Sequence, residues 1–129
     1  DRLGPSRLIP PALGLYIIAA VIVAYAQSAA GFYIAGAIGG IAHGYCFPLL
    51  ASQVTSRNPA ELRGSAMAVY TLLWDASSLI LTPVLGFIAH LHSDQTMYLC
   101  AASLAAITFP VWIVLERSYL ATRSVIPQR

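Results

Sequence analysis

The 129-residue chain contains no lysine, and charged residues make up only 9% of it. Soluble domains carry about 25% charged residues, so the surface of a soluble domain is not present here. Hydrophobic residues account for 58%, mean hydropathy is +0.73, and lipid is therefore the expected solvent for most of the chain. Cysteine is nearly absent too. Cys46 and Cys100 both lie inside apolar runs, with no C-x-x-C pair and no Cys/His ligand spacing. That excludes a disulfide framework and a zinc site and leaves two small apolar fillers. No basic cluster sits on an amphipathic or aromatic surface, so the net charge of +2 does not point to nucleic acid as a partner. A Walker A loop is missing, which removes an ATP-driven engine from this part, and no cofactor or metal is expected. Nor does a basic n-region with a cleavage site precede the first apolar run; the chain opens on Asp1 in a polar loop. The expectation is the carboxyl-terminal piece of a longer membrane protein, with an amino-terminal part missing.

What is present is a pattern in the arginines. Arg2 and Arg7 precede the first apolar run, Arg57 and Arg63 lie between the second and third, and Arg117, Arg123 and Arg129 follow the fourth. The gaps after the first and third runs contain none. Cytoplasmic loops hold the basic residues of membrane proteins, so four crossings with both ends cytoplasmic reproduce this distribution.

A span of the hydrocarbon core takes about 20 residues. Transmembrane helices are predicted over 8–26, 29–54, 65–91 and 96–115. Residues 1–7 and 55–64 read as cytoplasmic loops and 116–129 as a frayed polar cytoplasmic tail. Pro10 and Pro11 are expected in the first turn of the first helix, where missing N–H groups cost little. The runs are too long for strands and lack period-2 alternation, which excludes a membrane β-barrel. The fold class is all-α integral membrane, with successive helices antiparallel.

In the second run Gly36, Gly40 and Gly44 recur every four residues, with Gly39 beside them, forming a small-residue stripe suited to close helix packing. His43 and Phe47 fall on the same stripe, and Pro48 predicts a freed carbonyl and a kink. On the plainer reading the glycines are a packing groove and His43 bonds to a neighbouring helix. On the functional one His43, Tyr45 and the Pro48 kink border a substrate path, because an ionisable group at membrane depth faces a bundle interior or water.

The third run carries Thr71, Asp75, Ser78 and Thr82 on one helical stripe, extended by Gly64 and Gly86. Asp75 is the sole acidic residue inside any run and lies about 15 Å by helical rise from the Ser65 end, near mid-bilayer. Such a carboxyl can bind a proton, pair with an arginine or contact a polar substrate; the plainer reading is a neutral packing hydrogen bond. Tyr70 and Trp74 read as core or belt aromatics before ligand stackers.

Asp1-Arg2-Leu3-Gly4-Pro5-Ser6-Arg7 resembles the Asp-Arg-x-Gly-Arg-Arg loop of major facilitator superfamily transporters, which joins the second and third helices of each six-helix half. Asp1, Arg2 and Gly4 match, Pro5 and Ser6 depart from the basic pair, and Arg7 restores one charge a position late. The order Gly36-x-x-Gly39-Gly40-x-x-x-Gly44-Tyr45-x-x-Pro48, then Arg63-Gly64-Ser65-Ala66-Met67-Ala68-x-Tyr70-Thr71, then Asp75, Pro83 and Gly86 is similar to the last helices of its efflux-type members, including those labelled sugar or arabinose efflux permeases. The resemblance implies helices nine to twelve of a twelve-helix fold, alternating access, and a small-molecule substrate. It also implies residence in the cell (inner) membrane, with the bilayer and the missing amino-terminal part as partners. Helices ten and eleven would line the cavity and the interface of the halves, leaving nine and twelve peripheral. The residues agree, since the second and third runs carry His43 and Asp75 while the first and fourth are almost purely apolar.

The leading expectation is proton-coupled secondary transport, with Asp75 binding the proton. Arg57, Glu61 and Arg63 can form cytoplasmic contacts that stabilise one gate state, although ordinary positive-inside anchoring also explains the arginines. The alternatives are a membrane-embedded enzyme subunit, a small scaffold, or a channel. An enzyme would need a cluster, and His90, His92 and Asp94 in the outer loop are a weak one, the two histidines being two apart. A channel would show polar linings on several helices.

Overall fold

The structure is a computed structural model that describes the backbone of residues 5–125 and the side chains of 8–119 and 121. Asp1, Arg2 and Gly4 of the loop motif lie outside the described residues, as does the side chain of Arg7. Four helices follow in order: α1 (Pro5–Tyr25), α2 (Ala29–Arg57), α3 (Arg63–Leu91) and α4 (Asp94–Val125). A single 3-10 turn, Ala60–Leu62, leads into α3. No strand occurs among the described residues. All four helices are long and apolar enough to cross a membrane, so the fold is all-α with four candidate spans.

The helices are longer than the apolar runs. Beginning at Pro5, α1 places Pro10 and Pro11 in its second turn rather than its first, so the Ser6 and Arg7 carbonyls forgo their i→i−4 partners. Helix α2 continues to Arg57 and stops where Pro59 disfavours helix for Asn58. The Asn58 amide donates to the Val54 carbonyl at 2.7 Å, covering one of the orphan carbonyls of that end. Helix α4 starts at Asp94 and stays helical to Val125, where the sequence predicts a frayed tail beyond residue 115. Its start is well signalled. The Ser93 hydroxyl accepts from the Thr96 backbone N–H at 3.2 Å and meets the Thr96 hydroxyl at 2.9 Å, while Asp94 sits in the positive first turn. Its far end is held by a side-chain clamp described below.

The four helices form a ring. Each packs on its sequence neighbours, α4 closes back on α1, and the diagonal pairs make no backbone-level contact. The tightest seam is α1 against α2. Its buried positions are Ile9, Ala12, Ala19 and Ala24 on α1 and Ala35, Ala42, Cys46 and Gln53 on α2. On α2 these recur at spacings of 7, 4 and 7, a single face built of small residues. Small side chains let backbones approach and gain dispersion contacts where lipid offers no hydrophobic drive between helices. By contrast α3 has no buried residue at all.

Candidate functional site

Three helices meet at a cluster of rings. The Tyr16 hydroxyl on α1 lies 2.8 Å from Nδ1 of His43 on α2. The other side of His43 faces Trp74 of α3, with ring centroids 5.9 Å apart. Phe47, one turn along α2, stands edge-on to Trp74 at 5.4 Å and tilted to Tyr70 at 5.6 Å. The Tyr70 hydroxyl also reaches the Phe47 carbonyl at a long 3.5 Å. Offset and edge-to-face ring pairs at these separations contribute about 0.5–1.5 kcal/mol each beyond their buried area. The rings supply the central contact between α2 and α3, while the other flank of α3 packs on α4. Tyr70 and Trp74 are thus core aromatics, and His43 has its neighbouring-helix hydrogen bond. Its partner is the one tyrosine in the middle of the first apolar run. The signal was in the sequence, because a mid-span tyrosine must satisfy its hydroxyl.

The polar stripe of α3 lies beside this cluster. Thr71, Asp75, Ser78 and Thr82 are all exposed within the four-helix ring. The Thr71 hydroxyl donates to the Met67 carbonyl at 3.0 Å and Ser78 to the Trp74 carbonyl at 3.1 Å, so both are satisfied by their own helix. Asp75 makes no hydrogen bond or ion pair among the described residues. Ser78 and Thr82 line an open groove of about 520 Å³ along α3, together with Tyr70, Trp74 and Ser77. Thr71 and Asp75 are not among its lining residues.

Two expectations for α2 shift. Tyr45 does not join His43. Residues two apart on a helix are about 200° apart, and Tyr45 borders an outer apolar groove with Leu8, Pro11, Ala12, Leu15, Ile41 and Leu49. The glycines Gly36, Gly40 and Gly44 do not make the helix contact within this ring. A Cβ added at any of them would meet nothing within 4 Å, whereas one at Gly39 would touch the Ala19 Cβ at 3.5 Å. The packing stripe is Ala35, Gly39, Ala42 and Cys46, rotated away from the glycine stripe because alanine is as good as glycine at this seam.

At the end shared by the carboxyl-terminal turns of α2 and α4, the Arg57 guanidinium pairs with both Glu116 carboxylate oxygens at 2.6 Å and stacks 4.2 Å above the Tyr119 ring. Both side chains are mostly buried, 26% and 11% exposed. Glu61 is exposed, and Arg63 Nε donates to the Asn58 carbonyl at 3.4 Å. Gly64 is open, with nothing within 4 Å of an added Cβ. Arg57, Arg63 and Arg117 fall at this end, while His90, His92 and Asp94 fall at the other. Among the described residues no group of three or more His, Cys, Asp or Glu can hold a metal ion.

The Major Facilitator Superfamily model matches residues 1–128. Relatives from Pseudomonas aeruginosa strains LESB58, UCBPP-PA14 and PAO1, each named an uncharacterized MFS-type transporter, are 29%, 28% and 29% identical over 113 residues. The alignment covers 86% of this chain and 28% of each relative, so the chain spans under a third of their length. No solved structure matches. A ring of four helices, each long and apolar enough to cross a membrane, and a family match over nearly every residue agree: the chain belongs to the major facilitator superfamily.

Proposed function

We propose that this chain forms helices nine to twelve of an efflux-type, proton-coupled secondary transporter, with residues 1–7, 55–64 and 116–129 on the cytoplasmic side of the inner membrane. The observation that carries the reading is Asp75, an exposed carboxylate in the middle of an apolar helix that none of its three companion helices covers. Lipid is a costly neighbour for such a group, so it faces protein or water. A transporter supplies both through a central cavity between its two halves. Asp75 takes the proton there. Ser78 and Thr82 offer hydroxyls along an open groove of the same helix, and the open glycine face of α2 leaves room for solute or for a closely approaching helix.

The test uses the full-length transporter in proteoliposomes with an imposed pH gradient and a panel of sugars and dyes. For the first solute moved, Asp75→Asn should cut gradient-driven accumulation at least tenfold while leaving solute exchange intact, since exchange needs no net proton movement. Accumulation that survives Asp75→Asn unchanged moves the coupling role elsewhere.

A further inference from the structure

Asp75 does not sit on a rigidly packed helix. Because α3 buries nothing, its position beside α2 depends on the ring cluster. Within that cluster His43 is the one side chain that becomes a cation by taking up a proton. We infer that His43 is a positioning residue whose protonation tightens the joint between α2 and α3, and so sets how Asp75 is presented to the cavity.

The choice of partners supports this. Towards α1, Nδ1 of His43 meets a tyrosine hydroxyl, which both donates and accepts. With neutral imidazole the hydroxyl donates to Nδ1; when Nδ1 carries a proton the same hydroxyl accepts it. The bond to α1 therefore survives either state. Towards α3, the Trp74 ring centroid lies 5.9 Å from that of His43, inside the range of about 6 Å over which a cation is attracted to an aromatic face. Adding a proton keeps the Tyr16 contact and strengthens the Trp74 one. The other titratable groups nearby are few. From α3 they are Tyr70, which bonds the Phe47 carbonyl, and Asp75, about 100° round the helix from Trp74. On α2 itself the buried Cys46 lies near both Tyr16 and Tyr70, and Tyr45 is turned to the outer groove. From α1 Tyr16 alone faces it, and α4 does not pack on α2 at this level. Trp74 and Asp75 are consecutive, so a pull on one ring turns the carboxylate beside it.

The last step rests on the transport reading above; the titrating joint does not, and the experiment separates them. Intrinsic fluorescence of the full-length transporter in lipid nanodiscs is followed from pH 8 to pH 5. An imidazolium quenches an indole it touches more than an imidazole does. The parent should show a quenching step that disappears in both His43→Gln and Trp74→Phe and persists in Asp75→Asn. Should His43→Gln not fold, His43→Asn serves in its place. A step that survives loss of His43, or no step in the parent, overturns the joint. If the step behaves as expected but the pH profile of transport is identical in the parent and His43→Gln, the joint stands and its role in presenting Asp75 falls.

Discussion

The α1–α2 seam and the α3 helix solve the same problem in opposite ways. The seam is built mainly of small side chains, and Ala42 in its middle is 0% exposed. The other, α3, carries large side chains, with Leu79 78% exposed and Leu72 66%, and touches its neighbours through rings and hydroxyls. A helix that is apolar, polar along one stripe and covered by neither neighbour is built to meet something outside the four. The seam supplies a fixed wall, and α3 supplies a face that the other three helices leave open.

The comparison can be broken most sharply at the seam. Ala42→Leu forces a branched side chain into a filled contact and should cost about 1–3 kcal/mol, read as a fall in melting temperature of the full-length protein in detergent. Leu79→Ala on α3 removes no contact with the other three helices and should cost less than Ala42→Leu in the same assay; equal losses would erase the distinction between the two regions. The glycines sharpen it next. Gly39→Leu should destabilise the fold because the added side chain runs into Ala19, while Gly40→Leu should leave the melting temperature unchanged and lower transport, its intrusion falling on the open face. A double-mutant cycle of Arg57→Ala with Glu116→Ala should give a coupling of about 1 kcal/mol in thermal unfolding, and a coupling near zero would make that clamp ornamental. The smallest effects are at the caps. Ser93→Ala, losing two hydrogen bonds, should cost about 1 kcal/mol, and Ser28→Ala, whose contact to the Gly31 N–H is a long 3.4 Å, a few tenths.

The sequence made the spans and the α3 stripe legible because both are periodic signals over many residues. Thr71, Asp75, Ser78 and Thr82 share a face whatever surrounds them. It also placed Arg57, Arg63 and Arg117 at one end, since charge in loops survives any packing. What it hid depended on neighbours distant in sequence. The regular glycine spacing drew attention to one side of α2, yet seam and stripe are chemically alike and only the position of α1 separates them. Tyr45 looked close to His43 by number and is on the other face. Glu116 read as the start of a tail because its arginine lies 59 residues away. Once paired, it keeps α4 helical where hydropathy alone falls away.

That extension turns α4 into a lever. Its 32 residues make a rod about 48 Å long, against a hydrocarbon core of about 30 Å. The segment past the lipid is fastened by Arg57 to the end of α2, the helix that bears His43. A tilt of about ten degrees in such a rod sweeps its tip by about 8 Å. A small tilt of α4 is thus magnified into a larger displacement at its carboxyl-terminal end, where a fluorophore or spin label on the last turn would report it.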